Sequence, residues 1–94
     1  MPIPSERVFV LEIAQKPILA FRAQTLREAL ELGRETWLRD DLCDLSSNGV
    51  ALWDRNAKIT TREAASHEIL IYEAGVAKQD NAEDLALVFL VELD

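Results

Sequence analysis

Leu85-Ala86-Leu87-Val88-Phe89-Leu90-Val91-Glu92-Leu93 decides how the rest of the chain is read. Eight of these nine residues are apolar, and none is Gly or Pro. A strand with one wet face alternates apolar and polar side chains with a period of two. Here one set is Leu85, Leu87, Phe89, Val91 and Leu93, and the other is Ala86, Val88, Leu90 and Glu92. A strand apolar on both sides reads as a central strand of a sheet covered on both faces. Placed at the end of the sequence, it implies that the preceding residues build the sheet it enters.

The 94 residues suit a single domain spanning 1–94. A chain of this length can bury a modest core without disulfides or metal. Seventeen acidic against ten basic residues give a net charge of -7. That balance argues against nucleic acid as a partner, because phosphate backbones select concentrated Lys and Arg. One cysteine, Cys43, excludes an internal disulfide and suits a reducing compartment. The opening Met1-Pro-Ile-Pro-Ser-Glu-Arg7 has neither the basic nor the apolar region of a signal peptide. The 85–93 run is also short of the roughly 20 apolar residues of a membrane helix. The expectation is a cytoplasmic protein with no membrane contact.

Pro2 and Pro4 keep the first residues out of regular structure. Val8–Ala14 then reads as a strand with Phe9, Leu11 and Ile13 on one face and Val8, Val10 and Glu12 on the other. Ile18–Ala23 is a second strand. The short Gln15-Lys16-Pro17 link makes the two a hairpin. An odd loop centred on Lys16 pairs Ile13 with Leu19, Leu11 with Phe21 and Phe9 with Ala23, gathering the large apolar groups on one face. Thr25-Leu-Arg-Glu28 is a capping box, so a helix is expected to about Asp41, with Leu26, Ala29, Leu30, Gly33, Trp37 and Leu38 on its apolar stripe. Gly33 on that stripe reads as a close approach to the sheet. Ser46-Ser-Asn-Gly49 is a turn, followed by short strands at Val50–Trp53 and Lys58–Thr60, paired with each other. Thr60-Thr-Arg-Glu63 looks like a second capping box opening a helix over 61–74, with Gly75 at its C′ position. Ile69-Leu-Ile-Tyr72 is rich in strand formers and leaves that helix open to an extended alternative. A polar connection, Asp80–Asp84, leads into the last strand.

The resulting order, β-β-α-β-β-α-β, resembles the β-grasp (ubiquitin-like) order over nearly the whole chain. The resemblance implies an α+β domain with a mixed sheet, the last strand parallel to the first in mid-sheet and a helix crossing one face. The sequence ends Val91-Glu-Leu-Asp94 without the Gly-Gly of conjugated modifiers, so conjugation does not carry over. A plant-type iron–sulfur β-grasp would need four cysteines. Glu35-Thr-Trp37, Leu52-Trp-Asp54, Ala57-Lys58 and Arg62 also resemble segments of short alphaproteobacterial proteins that have no assigned activity, which implies no mechanism.

Few residues suggest chemistry. Asp40-Asp41-Leu42-Cys43-Asp44 has the spacing of a Mg²⁺-binding DDxxD motif. The enzymes that use it enclose a large helical cavity, and acids at a helix C-terminus are unfavourably placed. A solvated acidic corner is the better reading. Cys43 and His67 lie 24 residues apart on different elements, with no third group to orient a nucleophile. Neither zinc nor haem has a sufficient ligand set. No cofactor and no catalysis are expected. Trp53-Asp-Arg55-Asn-Ala-Lys58 combines an aromatic with cations, a hot-spot composition, although Trp53 also suits an anchor for the short hairpin.

With Phe9, Leu11, Ile13, Leu19 and Phe21 under the first helix, the reverse sheet face carries Val8, Val10, Ile18, Ala20, Ala86, Val88 and Leu90. That face is too apolar to be left in water. Either the second helix folds over it or another chain does, and a homodimer is the commonest form of the second case. The sequence therefore points to a protein-interaction module with contact candidates Val8, Val10, Ile18, Val88, Leu90, Trp53 and Arg55. The alternative is an acidic regulator or inhibitor docking on a basic or nucleic-acid-binding protein through Asp40, Asp41 and Asp44.

Overall fold

The computed structural model describes residues 7–77 and 87–93. Its centre is a hairpin of β1 (Arg7–Ile13) and β2 (Lys16–Ala23). Two more strands flank it, β5 (Ile59–Glu63) beside β1 and β6 (Val88–Phe89) beside β2, giving the order β5-β1-β2-β6. All three pairings are antiparallel. Between β2 and β5 the chain forms α1 (Leu26–Leu32), α2 (Thr36–Asp44) and a small ribbon of β3 (Ser46–Ser47) and β4 (Val50–Ala51). Between β5 and β6 lies α3 (Ser66–Ala77).

The α+β class holds, but the arrangement differs from the β-grasp order. The sheet is antiparallel rather than mixed, and the last strand lies at an edge beside β2, not parallel to β1 in the middle. Its apolarity on two sides has another cause. Leu87, Phe89 and Val91 pack on the cluster beneath α1 and α2, while Val88 and Leu90 join the cluster beneath α3. A sheet covered on both faces makes even its edge strand apolar on both sides. The two-sided pattern reports the number of covering layers, not the position in the sheet. Leu85, Ala86 and the expected Asp80–Asp84 connection lie outside the described residues, as do Pro2 and Pro4.

The central hairpin turns through Ala14 and Gln15, with φ of 52° and 68°. A two-residue turn with both φ positive matches the twist of paired strands. Register then follows Phe9↔Phe21, Val10↔Ala20 and Leu11↔Leu19, and slips at Leu11/Glu12 to Glu12↔Pro17 and Ile13↔Lys16. The odd loop on Lys16 is thus replaced by a tight turn plus a bulge. The face assignment survives, because Phe9, Leu11, Ile13, Leu19, Phe21 and Ala23 share one core. The bulge carries Ile18 into that same core, away from the reverse face where simple alternation put it.

Thr25 caps α1 as expected, its hydroxyl accepting the Glu28 N–H at 3.1 Å. The long first helix is broken, however, with α1 ending at Gly33 and α2 starting at Thr36. Gly33 is buried where a Cβ would meet Thr61 Oγ1 at 3.5 Å and Leu11 Cδ1 at 3.6 Å, the expected close approach to the sheet. The break leaves Leu26, Leu30 and Trp37 exposed, while Ala29, Leu38 and Leu42 are buried. Asn48 and Gly49, with φ of 54° and 79°, close the β3–β4 ribbon. Val50 therefore pairs with Ser47 and not with the 58–60 segment, which joins β1 instead.

Thr60–Glu63 is strand rather than helix cap, in keeping with its β-branched Ile59-Thr-Thr61 run. α3 begins at Ser66, and its first turn is closed by Glu68 Oε1 accepting the Ala65 N–H at 2.7 Å. Ile69–Tyr72 is helical. Gly75 lies within α3, not beyond it, and a Cβ there would come within 2.7 Å of Val88 Cγ1. Tyr72 and Gly75 press α3 onto the reverse face of the sheet, against Val10, Ala20 and Val88.

Candidate functional site

The reverse face holds an ionic cluster at its β5 side. Glu12 interrupts the apolar run Val8–Ile13 of β1, and Arg62 lies on neighbouring β5. Arg62 Nε donates to Glu12 Oε2 at 2.8 Å. Its two terminal nitrogens grip Glu68 of α3 as a fork, at 2.7 Å to Oε1 and 2.8 Å to Oε2. The first of them also donates to the Glu63 carbonyl at 3.0 Å, and the Thr60 hydroxyl reaches Glu12 Oε1 at 3.4 Å. Glu68 is 3 % exposed. The hydrogen bonds from Arg62 outweigh that burial and, with the Ala65 N–H, hold the Glu68 carboxyl down at about 2. Arg62 is raised above its ordinary value by the same two carboxylates, Glu68 first. A guanidinium with four of its N–H groups engaged is a clamp joining β1, β5 and α3, not a receptor for an anion. The sequence reading placed Glu12 on the reverse face of the first strand and Arg62 in a capping box at the start of the second helix, and so did not bring them together. The signal for their union is the carboxylate in an apolar strand, which demands a buried partner.

The candidates for self-association through the reverse face are placed beneath α3. Val10 and Val88 are buried there, and Val8 and Leu90 pack around them half-buried. Ile18 is buried on the other face. Of the two ways to cover this face, the second helix is the one observed, so the face is not an open contact surface.

Trp53 is an anchor. Its ring is buried, Nε1 donates to the Ala57 carbonyl at 2.8 Å, and the Arg39 guanidinium stacks 5.4 Å from the ring centre. Asp54 fastens the same turn, accepting the N–H groups of Asn56 and Ala57 at 2.8 Å each. The Ala57 bond first and the Asn56 bond second hold its carboxyl below the usual range. Arg55, with φ of 74°, reaches Asp40 at 3.5 Å, so the turn and the acidic corner are neighbours. Asp40, Asp41 and Asp44 are all exposed on α2. Cys43 packs half-buried into the core under α2, whereas His67 is exposed on α3. The sheet stands between the two helices and keeps that thiol and imidazole apart. Among the described residues, no cluster of three His, Cys, Asp or Glu is arranged to hold a metal ion, and no helix is long and apolar enough to cross a membrane.

What the sequence reading missed is the outward face of α3. Leu70 is 68 % exposed and Ile71 47 %, with Ala74 and His67 exposed beside them at helical spacing. No protein-family model matches the chain, and no curated protein and no solved structure matches it either.

Proposed function

We propose that this chain is a non-catalytic protein-interaction module acting in the cytoplasm, and that it meets a protein partner or a second copy of itself through the outward face of α3. One observation carries this reading. α3 is apolar on both sides, but only the side with Glu68 clamped and Tyr72 buried lies on the sheet. A helix lying on the surface of a globular domain needs one apolar stripe, and a helix apolar all round is a buried helix. Leu70 and Ile71 therefore await a second layer. The sheet face first suggested for association is taken by α3, and the contact moves outward by one helix.

A photo-crosslinking side chain placed at Ile71, with a control at exposed Glu31 of α1, tests the reading in cells. Protein adducts that form at 71 and not at 31 support it. Equal labelling at both positions, or none at 71, overturns it. The second reading, acidic docking on a basic protein, draws on exposed Asp40, Asp41 and Asp44 together with Glu28 and Glu31 of α1 and Glu35 at the N-cap of α2. Its contact would weaken steeply as salt rises, whereas a contact through Leu70 and Ile71 would not.

A further inference from the structure

We infer that the occupant of the α3 outer face is the α3 of a second copy, packed antiparallel across a two-fold axis that passes between Leu70 and Ile71; this rests on the interaction-module reading above. Charge selects the second copy first. In a chain of net charge -7, a contact between identical surfaces must avoid its own acids. α1 presents Glu28 and Glu31, and α2 presents Glu35 at its N-cap with Asp40, Asp41 and Asp44. The stripe of His67, Leu70, Ile71 and Ala74 carries no carboxylate, and Glu73 flanks it at one end only.

Direction follows from that asymmetry. His67 is in the first turn of α3 and Glu73 is near the last. In an antiparallel pair, each His67 lies over the final turn of the other helix, beside the partner's Ala74 and the partner's Glu73. Leu70 then meets the partner's Ile71, and the small Ala74 lets the axes approach. A two-fold contact of this kind uses the same patch twice and closes at two chains. A parallel pair would stack Glu73 on Glu73 and His67 on His67. The twelve residues of α3 span about 18 Å. One helix crossing covers less than the roughly 800 Å² per partner of a stable complex. The pair is thus a weak, exchanging dimer, with a dissociation constant in the micromolar range or above.

Sedimentation equilibrium on the full chain, from micromolar to millimolar concentration, is the test. The expected result is a reversible rise in mass toward twice that of one chain. Leu70→Glu, at a side chain exposed in the monomer, should weaken association by about a hundredfold with an unchanged far-ultraviolet circular dichroism spectrum. His67→Glu should weaken it by about fivefold, and adding Glu73→Lys should restore it. In a Cys43→Ser background, the pair His67→Cys and Ala74→Cys should oxidise to a cross-linked dimer, while Ala74→Cys alone should not. A monomer at every concentration overturns the second copy as occupant, while adducts with other proteins at position 71 would leave the interaction-module reading standing. A dimer indifferent to Leu70→Glu overturns the face, and efficient cross-linking of Ala74→Cys alone overturns the antiparallel direction.

Discussion

Among the described residues, Glu68 is the one at which the fold is most exposed to acid. Its carboxyl sits at about 2 in the folded chain against an ordinary 4.5, because Arg62 holds it from both terminal nitrogens. The folded value is the lower one, so the unfolded chain takes up the proton more readily. The stabilisation is complete above about pH 5 and disappears as pH falls toward 2. A shift of this size corresponds to about 3 kcal/mol, counted once for the pair and not again for Arg62. Glu68→Gln keeps the shape and removes the charge, leaving Arg62 with Glu12 alone. We expect it to lower stability at pH 7 by about 3 kcal/mol and to flatten the loss between pH 5 and 2. Urea unfolding across that pH range reads both effects. An unaltered acid limb would assign the acid sensitivity to another carboxylate. Glu63→Gln is the control, since Glu63 pairs with Arg7 on an exposed edge, where such pairs contribute little.

Among the elements, α3 and β6 depend on each other through a single missing Cβ. Ala in a helix interior is ordinarily favoured over Gly by about 1 kcal/mol. At Gly75 the sign reverses, because an added Cβ would stand 2.7 Å and 2.9 Å from the two γ-carbons of Val88. Gly75→Ala should therefore destabilise by about 2 kcal/mol net. Combining it with Val88→Ala, which vacates those positions, should recover more than Val88→Ala alone loses by the cavity it leaves. Thermal denaturation of the four proteins measures the coupling, and additive losses would show that α3 does not touch β6 at this point. The sequence made Gly75 look like a helix terminator, because composition cannot tell a glycine that ends a helix from one that lets it approach a strand. The same limit applies to Thr60–Glu63, whose capping-box spelling is that of a strand ending in Glu63. Thr25–Glu28 has the same spelling and does cap α1. What separates the two is whether the hydroxyl lies next to a helix start or in a ladder with β1, and that depends on residues 48 positions away.

At the scale of the whole molecule, the legible part was the division of side chains between faces, and the illegible part was the order of strands. Phe9, Leu11, Ile13, Leu19 and Phe21 share one core because alternation groups them within each strand and the bulge at Leu11/Glu12 offsets the tight turn, bringing the two groups to the same face. Nothing local distinguishes an edge from a centre once both faces are covered, which is why 85–93 pointed to the wrong place. The outer stripe of α3 was hidden for a related reason. Leu70 and Ile71 look like core residues until Tyr72 is seen to occupy the core side. Two clusters result, one under α1 and α2 and one under α3, with the sheet between. They are not independent units. β1 gives Phe9 and Leu11 to one and Val10 to the other; β2 gives Leu19 and Phe21 to one and Ala20 to the other. Neither layer can lose its strands without stripping the other, so the chain should unfold in one cooperative step. Trp53 reports on the first cluster and Tyr72, the single tyrosine, on the second. Replacing exposed Trp37 by Phe leaves Trp53 as the only indole, and a fluorinated tyrosine marks position 72. Fluorescence and fluorine resonance should then give one urea midpoint and one slope. If Tyr72 is released at lower urea than Trp53, α3 is a detachable layer, and the Arg62 clamp is too weak to make the two cores fold as one.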